Sequence, residues 1–221
     1  MRYTELIEHI GDMQDLSQKS MWQKTIAGIK QDCQPWLKQI NYDISTFPIY
    51  RGLGTVEKPV LKKKVRLLKR RPTDTSEGAH ELLNKSFTTL FGEPFRNAMF
   101  ASGDFTVTND YGNLYMVFPI GEFTFIWSSD VKDIFSEHEN QLDRIAAGYD
   151  PEDGTMPIDD IEGTMLEYVN NLGYHTTDLK NAIASGSEIM IRCESYYALQ
   201  ISLWQDERNW MIKSINRDLN A

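Results

Sequence analysis

Trp22, Ile26, Ile29, Cys33 and Trp36 recur at steps of four, three, four and three. That spacing lines one face of a helix, and residues 2 to about 40 read as helical. Pro35 predicts a bend or restart, because its ring clashes with the preceding turn and it has no N–H to donate. A strand is expected at Phe47-Pro48-Ile49-Tyr50-Arg51, ended by Gly52 and Gly54. Val60, Leu61, Val65, Leu67 and Leu68 then interleave with basic residues, a pattern for extended chain or a short strand. Pro72 interrupts, and Asp74 with Glu77 three residues later forms a helix-start signature. The helix it opens carries Ala79, Leu82, Leu83, Phe87, Leu90 and Phe91 on one face, and Gly92 and Pro94 stop it.

The middle of the chain reads as β-rich. Ala98 to Ser102, Leu114 to Ile120 and Phe123 to Trp127 are apolar runs of strand length, separated by Tyr111-Gly112-Asn113 and Pro119-Ile120-Gly121-Glu122. Residues 136 to 160 are polar and acidic, with Gly148, Pro151, Gly154 and Pro157, and predict a surface loop. Ile161, Met165, Val169 and Leu172 share a helical face over 158–172, and a second helix is expected near 177–185. Glu188 to Cys193 and Ala198 to Trp204 read as a closing strand pair, and Trp210 to Ile215 as a further strand. Strands mixed with helices but not in βαβ alternation predict an α+β fold rather than a doubly wound sheet.

Composition narrows the function classes. The 221 residues have ordinary apolar content (41%), with five Trp, ten Tyr and ten Phe that need a core, so global disorder is excluded. A formal charge of −9 argues against a general nucleic-acid coat protein. The charge is uneven, however: Lys58, Lys62, Lys63, Lys64, Arg66, Lys69, Arg70 and Arg71 form a basic block. It reads first as a solvated face or partner surface, then as a contact for nucleic acid or a nucleotide phosphate, and last as membrane attachment.

Cys33 and Cys193 fit no metal spacing and read as reduced thiols. His9, His80, His138 and His175 show no paired ligand spacing, and Glu137-His138-Glu139 falls in the expected loop, so no metal is expected. The opening MRYTELIEHIGDM is too charged for a signal peptide, and no apolar run reaches membrane-spanning length. A soluble protein not secreted by the usual route is expected. Tyr196 and Tyr197 read as packing residues rather than a stacking platform.

Three landmarks occur in order: Ile49-Tyr50-Arg51-Gly52-Leu53, Phe100-Ala101-Ser102-Gly103-Asp104, and Ser185-Gly186-Ser187-Glu188-Ile189-Met190-Ile191. Taken singly, Arg51 is an ordinary strand-end ion-pair residue, Ser102 a turn residue and Glu188 a strand-edge charge. In sequence they resemble the ADP-ribosyltransferase superfamily of the Arg-Ser-Glu kind, over residues 47 to 204. Arg71-Pro72-Thr73-Asp74-Thr75, Tyr111-Gly112, Phe118-Pro119-Ile120-Gly121, Trp127-Ser128 before Asp133, and Glu188 to Tyr197 are similar to bacteriophage proteins with an ADP-ribosyltransferase-like domain.

The resemblance implies a split β-sheet core at 47–221 with an N-terminal helical extension at 1–46. It implies NAD as substrate, Glu188, Arg51 and Ser102 as catalytic residues, and Arg51, Gly52, Ser102 and Glu188 as NAD-binding residues. A protein acceptor, a host protein or virion proteins are the implied partners, in the host cytoplasm or the virion. Ser102 keeps only the first serine of the family's Ser-Thr-Ser pattern. Gly186 stands where arginine-modifying members have an acceptor-engaging Glu and others Gln, so the resemblance leaves the modified side chain open. The implied function is ADP-ribosylation of a host macromolecule during phage infection; the alternative is a silent virion or assembly protein on the same fold.

Overall fold

A computed structural model describes residues 16–54, 58–68, 75–108, 111–201 and 205–220. Arg71-Pro72-Thr73-Asp74, Lys69, Arg70, Trp204 and His9 lie outside the described residues. The N-terminal helical reading is met from Leu16 onward. Helix α1 (Leu16–Asp32) runs to a break at Cys33, and α2 (Gln34–Gln39) restarts with Pro35 in its first turn. The periodic face does what its spacing predicts: Ile26, Ile29, Cys33 and Trp36 are all buried.

Seven strands, β1 (Tyr50–Gly52), β2 (Val60–Lys64), β3 (Met99–Ser102), β4 (Leu114–Ile120), β5 (Thr124–Trp127), β6 (Glu188–Arg192) and β7 (Ser195–Gln200), form one sheet. Their order is β2-β7-β4-β1-β3-β6-β5, and every neighbouring pair is antiparallel. The fold is therefore mixed α+β. Neighbouring strands share three to six register pairs, except β1 and β3, which meet only at Tyr50 opposite Ser102. The sheet is loosest there.

The remaining helices are α3 (Glu77–Phe91), α4 (Phe105–Thr108), α5 (Ile134–Ala146), α6 (Ile161–Asn171), α7 (Leu179–Ser185) and α8 (Gln205–Asn220). Helices α3, α5 and α6 supply a core of Leu83, Phe87, Ile134, Leu142, Ile145, Met165 and Val169, closed against Ile126 and Met190 of the sheet. Helices α1, α2, α7 and α8 share a second core with β4, β6 and β7, including Trp36, Leu37, Phe118, Ile183, Ile191, Leu199 and Ile215. The N-terminal helices thus pack into the same core as the sheet.

Three sequence expectations are corrected. The stretch 136–160 is not a continuous loop: α5 occupies 134–146, capped by Asp133, whose carboxylate accepts from the Phe135 and Ser136 N–H groups. All the glycines and prolines that suggested a loop come after the helix ends. Trp210–Ile215 is not a strand but part of α8, with Ile212, Ile215 and Leu219 buried at helical spacing. Helix α3 is capped by Ser76, whose Oγ accepts from Ala79 N, rather than by Asp74.

Candidate functional site

Arg51, Ser102 and Glu188 come from three neighbouring strands, β1, β3 and β6. Ser102 and Glu188 are direct cross-strand partners, as are Phe100 and Met190 two residues along the ladder. Directly opposed residues, and residues two apart on a strand, share a face. Ser102, Glu188, Phe100 and Met190 therefore project from the same side of the sheet.

Ser102 is 2% exposed, and its hydroxyl is engaged locally: Oγ donates to Gly186 O at 2.8 Å and accepts from Asp104 N at 3.0 Å. The two contacts form a clasp between two turns. Gly103 makes the clasp sterically feasible, because a Cβ there would lie 1.9 Å from Ile183 O at the end of α7.

Arg51 sits where β1 separates from β3. Its Nη1 donates to Phe100 O at 2.6 Å, bridging the loosened part of the sheet, and it also lies against the buried phenol of Tyr196. Burial raises the Tyr196 pKa, and the Arg51 charge opposes that rise. Gly52 is opposite Leu114 of β4. The structure brings Ser102 and Glu188 together, but Tyr50 rather than Arg51 stands opposite Ser102, so Arg51 projects from the other face of the sheet, toward Tyr196, and Gly52 follows it on the adjoining strand.

A further residue, absent from the sequence reading, joins Ser102 and Glu188. Arg96 is 7% exposed, its Nη1 is 3.7 Å from Glu188 Oε1, and its guanidinium stands 4.7 Å over the Phe100 ring. Its position is fixed by the turn after α3. Arg96 N donates to Asn84 Oδ1, and Arg192 holds the turn by donating to Pro94 O and Asn97 O and pairing with Glu93. Phe100 thereby links the two cations, its carbonyl to Arg51 and its ring to Arg96.

Tyr174 is buried beside this pair. Its phenol titrates well above its usual value, first through burial and next through the Glu188 charge. A lone arginine between apolar Phe95 and Ala98-Met99, just past a helix stop, was the only signal for Arg96 in the sequence.

The other candidates have structural partners. His138 lies on α5 and shares a hydrogen bond with Tyr168 OH, and Glu137 accepts from Lys132 N. Among the described residues no three His, Cys, Asp or Glu side chains converge as a metal site. Tyr197 donates to Asp32 Oδ2 at 2.7 Å and lies under Lys62. The described part of the basic block, Lys62 and Lys64 above all, is exposed on the edge strand β2. No described helix is long and apolar enough to cross a membrane.

The chain matches no family model, no curated protein and no solved structure.

Proposed function

We propose that this chain is an NAD-dependent ADP-ribosyltransferase that modifies a host macromolecule during phage infection, on an ADP-ribosyltransferase-like split sheet. One observation carries the reading. Three landmarks separated by 51 and 86 positions in the chain lie on adjacent strands, with Ser102 directly opposite Glu188. Residues 47–221 would form the catalytic unit, with 1–46 layered on it.

The residues fit a dinucleotide in chemical character. The Nε of Arg51 is buried and makes no hydrogen bond to a described residue, which leaves a donor for a phosphate or ribose oxygen. Gly52 beside it lets a ligand approach the backbone. When bound, NAD supplies a ribose carbon on which positive charge develops as the nicotinamide bond breaks. Glu188 stabilises that charge from a fixed position, held by Arg96 and by Glu188 N donating to Lys132 O at 2.8 Å. Ser102 keeps the turn before Glu188 in place. Purified protein is expected to consume NAD, and Glu188→Ala to abolish that turnover; equal rates in the two proteins refute the role given to Glu188.

A second reading is favoured by the closure of Ser102. With its hydroxyl spent on Gly186 O and Asp104 N, the same fold also suits a catalytically silent virion or assembly protein that acts through protein contacts. Stoichiometric presence in particles, together with no NAD binding by calorimetry, selects this reading over the first.

A further inference from the structure

We propose that the outer edge of β2 is a docking site for an extended acidic segment of a partner protein, which adds to the sheet as a further strand. The inference stands apart from the transfer reading, because β2 lies four strand steps from β3, roughly 19 Å at the usual spacing.

The register decides which backbone groups of β2 are available. Gln200 N donates to Pro59 O, and Val65 N to Glu194 O, each at 2.9 Å. Hydrogen-bonded pairs alternate with non-bonded ones in an antiparallel ladder, so Leu61 and Lys63 also turn their N–H and C=O groups toward β7. Val60, Lys62 and Lys64 then point theirs outward, and among the described residues no strand meets them. The far end of the sheet is finished differently. Trp127 of β5 exchanges two hydrogen bonds with His175, at 3.1 Å and 3.0 Å, which closes part of that edge.

Charge selects the occupant. The sequence from Lys58 to Arg71 holds no Asp or Glu, and Lys58, Lys62, Lys64 and Arg66 are exposed. Lys62 and Lys64 project from one face of β2, and Leu61 and Lys63 from the other. Asp32 takes up Lys62 at 3.3 Å, whereas Lys63 and Lys64 make no ion pair with a described residue.

A second copy paired through the same edge would crowd these lysines against one another, which is destabilising. Nucleic acid neutralises the cations but offers no row of alternating donors and acceptors to the outward backbone groups. An extended peptide with acidic side chains at alternate positions meets both demands. Its backbone completes the ladder, its carboxylates face Lys62 and Lys64, and its intervening residues lie beside Leu61.

The test uses the full chain and a blocked peptide of alternating Glu and Val, about eight residues long, enough to cover a strand of ordinary length. Calorimetry is expected to show binding that weakens at least about fivefold between roughly 0.05 and 0.3 M salt. Exchange of the Lys62 and Lys64 amide protons should slow at least about tenfold in the complex. Lys64→Gln removes a charge alone. Lys64→Pro also removes an outward N–H, at a place where an edge strand tolerates proline without losing a bond to its neighbour. Affinity should fall about threefold in Lys64→Gln and at least about tenfold further in Lys64→Pro.

A peptide methylated on its Glu amide nitrogens is expected not to bind, because those N–H groups face β2 when Glu stands opposite Lys62 and Lys64. This arm needs no protein variant and holds even where Lys64→Pro unfolds the strand. Absence of binding by the unmodified peptide overturns the proposal, as does equal binding after Glu methylation or amide protection confined to another strand. Folded Lys64→Pro that binds as well as Lys64→Gln overturns the added strand. Tighter binding of oligothymidylate than of the peptide assigns the edge to nucleic acid and overturns the acidic segment.

Discussion

Arg96 and Glu188 form an ion pair in which the two side chains are only 9% and 13% exposed. Such a pair is held by mutual compensation: removing one partner leaves the other charge buried, whereas removing both removes the penalty. Arg96→Leu is expected to cost about 3–5 kcal/mol in urea unfolding. The double variant Arg96→Leu/Glu188→Met should recover most of that loss. A single variant within about 1 kcal/mol of wild type would show that the pair does not hold the turn.

Glu188→Gln keeps the side-chain volume and removes the charge. If the carboxylate stabilises a developing ribose cation, NAD turnover falls at least about 100-fold while NAD affinity changes much less. A parallel loss of affinity and turnover would instead make Glu188 a binding residue.

Gly103→Ala tests the clasp without touching a charged group. Its new methyl would meet the Ile183 carbonyl carbon at 2.7 Å as well as its oxygen at 1.9 Å, and neither can move without shifting the end of α7. Overpacking of this kind costs about 1–3 kcal/mol or more. An unaltered melting temperature would mean that the Ser102–Gly186 contact is looser than described.

The two cysteines should be silent in the native protein. Burial pushes the Cys193 thiol up to about 12 and the Cys33 thiol higher still. Since the thiolate is the reactive form, neither should label with a thiol reagent at pH 8, and both should label in urea. Rapid native labelling would contradict their burial.

Asp32 titrates below the usual carboxylate range, chiefly because Tyr197 donates to it and secondarily because Lys62 lies beside it. A depressed folded-state pKa adds stability above the unfolded value, lost as pH falls through the folded one. The contribution is therefore intact above about pH 5 and fades below about pH 4. Tyr197→Phe should raise the Asp32 pKa in an NMR titration and flatten that acid limb. An unchanged titration would exclude the phenol as the cause.

The sequence was most legible where one apolar pattern decided the element. Leu114–Ile120 is a strand with the expected bounds because its first six residues are buried, and Gly92 ends α3 in the left-handed conformation expected of a stop. Helix α5 was hidden because its inward positions, Ile134, Leu142 and Ile145, are diluted by charged residues that face solvent. The strand reading of 210–215 failed because Trp210, Met211, Ile212 and Ile215, interrupted by Lys213 and Ser214, are too few to decide the period; only the buried Leu219 extends them to a helical stripe. At the site, the order of Arg51, Ser102 and Glu188 was readable, but their adjacency was not. Arg96 was invisible because its importance lies in a contact made 92 residues away, with Glu188.

The interleaved strand order also bears on synthesis of the chain at the ribosome. Strand β6 inserts between β3 and β5, and β7 between β2 and β4, so four earlier strands wait for partners translated near the end. A nascent chain shorter than about 190 residues exposes those edges and lacks Glu188, which makes long-range pairing the slow step of its maturation. No partial product can carry the completed cluster.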